Sequence, residues 1–248
     1  MMTERMKKRC LQKLACSALV FAAFSTQAAI SLDRTRVVFD GENKSISLNI
    51  LNENKQLPYL AQVWLEDENQ KKIMTGPLVV TPPVQRLEPG KHSFIRVETT
   101  SAVNLLAQDR ESLFYFNLRE IPPKSEQPNV LQIALQTKIK LFYRPVAIKT
   151  KPNGVWQDQL VLHKINGGYR IENPTPYYIT IIGMGDSQSQ SEGGNFEGVM
   201  VAPFGSETVK KGQYATPHLT YINDYGGRPT LAFQCGNEKC TALKNQKE

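Results

Sequence analysis

Histidine and cysteine are scarce in this chain of 248 residues, which holds three of the first and four of the second. His92, His163 and His218 are scattered, so the close ligand spacing of a zinc site is missing. No nucleophile elbow and no phosphate-binding glycine loop occurs, which leaves a hydrolase or a nucleotide enzyme without its chemistry. Asp109 and Glu111 are near neighbours, but acidic pairs this close usually face solvent. Tyr225-Gly-Gly-Arg228 reads as a hairpin turn rather than a phosphate cradle. Long apolar runs are missing too. The run from Leu14 to Phe24 has eleven residues, where a membrane-spanning helix needs about 20.

That run follows Arg5, Lys7, Lys8, Arg9 and Lys13, and small residues Thr26 and Ala28 then occupy the positions a signal peptidase reads. Residues 1–28 are expected to be a cleaved secretory signal. Lys13, and an apolar run lying mostly after Cys16, argue against a lipoprotein anchor at that cysteine. From Ala29 onward the chain has 25 basic and 22 acidic residues, so the net charge falls from +7 to +3. So small an excess speaks against nucleic acid or an anionic membrane as partner. Two cysteines remain, Cys235 and Cys240, with four residues between them. In an oxidising compartment they read as a disulfide across a tight hairpin. The closed loop is short, so its entropic contribution is only roughly 2 kcal/mol.

Short alternating runs rich in Val, Ile, Thr, Tyr and Phe fill the rest, broken by Gly, Pro and Asn, as in a sandwich or barrel. The first half predicts strands near Ser31–Phe39, Ser45–Leu51, Tyr59–Glu66, Leu78–Thr81, Ser93–Glu98, Ser112–Glu120 and Val130–Tyr143, with a helical turn over Asn104–Arg110. Seven strands are what an immunoglobulin-like sandwich needs. Pro145 and then Pro152-Asn153-Gly154 mark a linker. The domain boundary is placed near Ile148, giving domains 29–148 and 149–248. The second block predicts strands near Leu160–Lys164, Tyr169–Asn173, Tyr178–Met184, Val199–Val201, Thr220–Asn223 and Thr230–Cys235. Asp186–Asn195, rich in Gly, Ser and Gln, is expected to be a flexible surface loop.

The run Asn129 to Tyr143 is longer than an ordinary strand of about five or six residues. Its alternation is strict. Leu131, Ile133, Leu135, Ile139 and Leu141 share one face, and Gln132, Gln136, Lys138 and Lys140 share the other. The pattern alone admits an ordinary core strand. It also admits a free edge, which proteins normally protect against aggregation. An apolar edge that is kept free suggests strand addition, with main-chain hydrogen bonds giving affinity and alternate side chains filling a partner's pockets. Leu131, Ile133 and Leu135 would then contribute roughly 1.5–3 kcal/mol each, gross.

This strand belongs to a wider set of matching stretches. They are Ser31-Leu-Asp-Arg-Thr-Arg36, Lys55-Gln-Leu-Pro-Tyr-Leu-Ala-Gln62, Thr81-Pro-Pro-Val-Gln-Arg-Leu-Glu-Pro-Gly90, Gln108–Pro123, Val130–Pro145, Tyr169–Tyr178 and Tyr221–Pro229. Through them the sequence resembles the periplasmic pilus chaperones of the chaperone–usher pathway over nearly the whole mature chain. The resemblance implies an all-β protein of two immunoglobulin-like β-sandwich domains in a boomerang arrangement around a cleft. It implies a chaperone rather than an enzyme, ATP-independent, without cofactor or metal, and not embedded in a membrane. The expected location is the periplasm of a Gram-negative bacterium. The expected partners are pilus subunits, adhesin and rod subunits included, and an outer-membrane usher that receives them for fimbrial assembly.

The resemblance also assigns residues. Leu131, Ile133 and Leu135 would complete a subunit's unfinished sandwich by donor-strand complementation. Arg36 and Lys140 would anchor the subunit's C-terminal carboxylate, and Glu111, Arg144 and Asp224 would form a charged trio between the domains. The short stretch between Leu118 and Leu131 matches the branch that builds rod-like pili. The resemblance leaves open whether the free protein caps its edge as a dimer. Two other classes compete. A glycan-binding adhesin would enter the fibre itself, and a hydrolase on a sandwich fold would need a clustered catalytic set.

Overall fold

The computed structural model of the chain describes residues 29–127, 129–210 and 212–243. The secretory-signal reading, on residues 1–28, lies outside them. Among the described residues no helix is long and apolar enough to cross a membrane.

The first domain contains β1 (Ile30–Leu32), β2 (Arg36–Asp40), β3 (Ser45–Asn52), β4 (Tyr59–Glu66), β5 (Lys72–Ile73), β6 (Leu78–Thr81), β7 (Val84–Leu87), β8 (His92–Thr99), β9 (Ser112–Ile121) and β10 (Gln136–Arg144). One sheet runs β1-β3-β8-β6. The other runs β2-β10-β9-β4-β5, with β7 paired to β4. Period-two alternation puts Leu48 and Ile50 of β3, Ile95 and Val97 of β8, Phe114 and Phe116 of β9, and Ile139 and Leu141 of β10 into one shared core. The stretch expected as a single strand, Ser31–Phe39, divides between the sheets: β1 pairs with β3, and β2 pairs with β10. The helical turn falls a little earlier than expected, as a 3-10 helix over Ser101–Leu105.

The second domain contains β11 (Val161–Ile165), β12 (Gly168–Glu172), β13 (Ile179–Gly185), β14 (Val199–Val201), β15 (Ser206–Val209), β16 (His218–Ile222), β17 (Thr230–Cys235) and β18 (Lys239–Ala242). They follow one path, β14-β13-β16-β17-β18-β11-β12-β15, around a separate core that includes Leu162, Tyr169, Ile171, Ile181, Leu219 and Phe233. Cys235 and Cys240 are disulfide-bonded across the β17–β18 hairpin, and Cys240 is buried in that core. The all-β, two-domain expectation holds.

Asp186–Asn195 is not a plain loop, because it contains helix α1 (Gln188–Gly193). Ser187 caps the helix by accepting from the Gln190 N–H. Ser191 is buried and its hydroxyl lies 2.9 Å from that of Thr220. The helix fits because β13 carries Gly183 and Gly185 beneath it. A Cβ at Gly183 would lie 1.7 Å from the Ser191 carbonyl oxygen. Glycine inside a strand marks such a close approach, and it was the readable sign of this helix.

Candidate functional site

The strand read as Val130–Tyr143 begins only at Gln136. From there β10 pairs antiparallel with β9 in a fixed register, Gln136 opposite Arg119 and Tyr143 opposite Ser112. One backbone bond extends beyond, from the Glu120 N–H to the Leu135 carbonyl oxygen at 3.0 Å. After Ile121 the neighbouring chain continues as Pro122-Pro123. Proline has no N–H to donate, so the ladder stops. The residues beyond it face solvent: Leu131 is 85% exposed, Ile133 63% and Leu135 43%. The polar side chains of β10 are fastened where the ladder starts. The Gln136 amide donates to Asn117 Oδ1 at 2.9 Å and its oxygen accepts from Arg119 Nη2 at 3.0 Å. Lys138 Nζ lies 2.6 Å from Glu66 and donates to Gln70 at 2.8 Å.

On the other edge of β10, β2 runs parallel, with Arg36 directly opposite Lys140. Arg36 is only 9% exposed, yet its polar contacts are few. Nη1 donates to the Ile222 carbonyl oxygen at 3.2 Å, and the buried Nε has no hydrogen-bond partner. Among the described residues neither Arg36 nor Lys140 is bonded to a carboxylate. Burial, and after it the charge of Arg36, pulls the Lys140 ammonium below its ordinary value. Burial likewise pulls the Arg36 guanidinium down, against the charges of Asp224 and Glu111. Two adjacent desolvated cations favour an added anion.

Arg144, at the end of β10, is saturated instead. Its Nε and Nη2 donate to Glu111 Oε1 at 2.9 and 2.7 Å, and Nη1 and Nη2 donate to the two Asp224 oxygens at 2.7 and 3.2 Å. Nη1 also reaches the Thr150 hydroxyl at 3.0 Å. The rings of Trp156 and Tyr177 each lie 4.9 Å from its guanidinium carbon. Glu111 and Arg144 come from the first domain, and Asp224, Trp156 and Tyr177 from the second. Glu111 adds two backbone ties across the junction: its N–H donates to the Pro176 carbonyl oxygen at 2.9 Å, and its Oε2 accepts from the Tyr178 N–H at 2.8 Å.

Glu111 is the titratable weak point of this cluster. Burial pushes its carboxyl up to about 7, against the pull of Arg144 and the Tyr178 N–H, while Asp224 adds to the rise. A carboxyl that titrates higher when folded takes up a proton on folding. Its contribution is complete below about pH 4.5 and is lost as the pH rises through about 7. Stability, followed by urea melts, is therefore expected to fall between about pH 5 and 8. Glu111→Gln should flatten that limb, and an equally steep limb in the mutant would contradict the assignment.

Sequence reasoning did not single out Phe142. Phe142 is buried on the face of β10 that otherwise carries Gln136, Lys138 and Lys140, and it stacks on Tyr178 with ring centroids 5.5 Å apart. An aromatic residue on a polar face was the signal available.

Residues 29–149 match the family described as "Pili and flagellar-assembly chaperone, PapD N-terminal domain", and residues 155–233 match "Pili assembly chaperone PapD, C-terminal domain". The chaperone protein PapD of Escherichia coli is 65% identical over 227 residues, covering 92% of this chain and 95% of PapD. Among solved structures, the periplasmic chaperone SfaE is 31% identical with a TM-score of 0.67, over 82% of this chain and 98% of SfaE. The Salmonella enterica SafB chaperone, solved in complex with the SafA pilin, shares the fold at 24% identity and a TM-score of 0.71, over 86% of this chain and 99% of the other. These named relatives are chaperones rather than enzymes. With both domains matched and two-thirds identity to PapD across nearly its full length, the chain belongs to the PapD family of pilus-assembly chaperones.

Proposed function

We propose that the chain captures pilus subunits in the periplasm by donor-strand complementation and passes them to an outer-membrane usher. One observation carries this reading. A largely unpaired apolar segment, with Leu131, Ile133 and Leu135 exposed, leads into a strand that ends beside buried Arg36 and half-buried Lys140, neither of them bonded to a carboxylate. Chaperone–pilin donor-strand complementation is an established form of strand addition. A subunit lacking its last strand would pair its backbone with residues 129–135 and take up the three apolar side chains. Its C-terminal carboxylate would accept from Arg36 and Lys140, where charge-assisted hydrogen bonds are worth roughly 1.5–3 kcal/mol each. The anchor would fix register, since a slip of one residue turns all three apolar side chains away from the groove.

The complex of SafA pilin with the SafB chaperone supports a subunit as the class of partner. In this reading no nucleotide or cofactor takes part, and the subunit's own folding drives its transfer. The domains divide near Ile148, and Glu111, Arg144 and Asp224 set the angle between them.

Co-expression with a pilus subunit tests the anchor. Arg36→Ala or Lys140→Ala should remove the one-to-one complex from affinity pull-downs while leaving the circular dichroism spectrum unchanged. Wild-type complex yields in both mutants would overturn the carboxylate assignment.

A further inference from the structure

An anchoring cation must be held in place and yet left free for its ligand. A carboxylate partner would hold Arg36 but would also fill the site. The two carboxylates close enough to act on it, Asp224 and Glu111, accept their side-chain hydrogen bonds from Arg144 and, at Glu111, from the Tyr178 N–H as well. Lys140, opposite in register, repels it. What holds Arg36 carries only partial charge. One part is the Ile222 carbonyl oxygen, 3.2 Å from Nη1 and supplied by β16 of the second domain. The other is the ring of Phe142, whose centroid lies 5.8 Å from the guanidinium carbon. A ring face attracts a cation through its quadrupole without neutralising it.

Phe142 is itself fixed from across the junction. Its ring stacks on Tyr178 at 5.5 Å with the planes inclined by 29°. The backbone N–H of Tyr178 is tied to Glu111, so the stack shares its footing with the charged trio. The order of contacts runs from Tyr178 in the second domain, through Phe142, to Arg36 in the first.

We propose that Phe142 and Tyr178 are positioning residues: this ring pair across the domain junction, with the Ile222 carbonyl oxygen, holds the Arg36 guanidinium ready for the subunit's carboxylate. The anion site is then built by both domains, although both of its cations lie in the first. This inference rests on the carboxylate-anchor reading above.

The probe is a synthetic peptide with the apolar alternation of a subunit's final strand, made once with a free C-terminal carboxylate and once as the C-terminal amide. Calorimetry gives the ratio of the two Kd values for the full chain and its variants. Tyr178 is partly exposed, so its substitution is milder than truncating buried Phe142. Tyr178→Phe keeps the ring and should keep the wild-type preference for the carboxylate. Tyr178→Leu and Tyr178→Met should each lower that preference about tenfold, while amide binding stays as in wild type. General loss of structure would weaken both peptides alike, so the ratio isolates positioning. A wild-type ratio in either ringless variant, with the preference abolished in Arg36→Ala, overturns the positioning role and leaves the anchor standing. A preference that survives Arg36→Ala overturns the anchor reading itself.

Discussion

Replacing Arg144 with alanine is expected to destabilise the protein by about 3–5 kcal/mol, as much as truncating a large core side chain. Its guanidinium meets Glu111, Asp224 and Thr150 at once and lies against Trp156 and Tyr177. Removing it leaves two carboxylates facing each other, and Glu111 is fully buried. Most of the loss therefore reflects the carboxylates left behind rather than the net value of the ion pairs. A compensating variant separates the two. Adding Glu111→Gln and Asp224→Asn to Arg144→Ala should restore part of the stability, because no buried charge then lacks a partner. Urea unfolding followed by far-ultraviolet circular dichroism reads both effects. A loss below about 1 kcal/mol in Arg144→Ala would show that water reaches the cluster and satisfies it.

Leu131→Glu and Ile133→Glu are each expected to weaken subunit binding by about 100-fold or more, with the free protein's stability changed by less than about 0.5 kcal/mol. The two halves of this prediction come from one fact. Leu131 and Ile133 are 85% and 63% exposed in the free chain, so little internal packing is lost when they change. In the proposed complex the same positions enter an apolar groove. There each change removes roughly 1.5–3 kcal/mol of burial and adds an unpaired carboxylate. Surface plasmon resonance with a subunit held soluble by its chaperone, set beside melts of the free mutants, gives both numbers. Unchanged affinity would remove the segment from the binding surface.

Much of the fold was legible because its strands carry apolar residues at every second position. Tyr59–Glu66, Val199–Val201 and Thr230–Cys235 fall where the alternation places them. The strands that escaped have little apolar content to alternate. In β15 only Val209 is buried, in β18 only Cys240, and β5 has two residues. The early end of the β10 ladder escaped for another reason. Residues 129–134 continue the alternation of Leu131 and Ile133, and what stops their pairing is Pro122-Pro123, just past the end of β9. A pairing depends on both chains, and period alone reports on one.

Arg36 and Lys140 became notable through resemblance, since a cation on a strand is ordinarily a solvated one. The burial of Arg36, the partial burial of Lys140 and their place opposite each other appear only once β2 and β10 are seen to run parallel. The Ile222 carbonyl was beyond any reading of side-chain chemistry, because its role comes from the backbone of a strand 186 residues away from Arg36.

The proline pair beside the proposed donor segment also bears on how firmly a subunit would be held. Because residues 129–134 have no ladder partner in the free chain, ordering them would fall to the moment of capture. Fixing one residue's backbone costs roughly 1–2 kcal/mol in conformational entropy, so six such residues would offset about 6–12 kcal/mol of gross attraction. A strand already paired and rigid would bind more tightly and release more slowly. In the proposed complex, Pro122-Pro123 would therefore shorten the residence time. A carrier that must surrender its cargo gains from an unformed strand what a storage protein would lose.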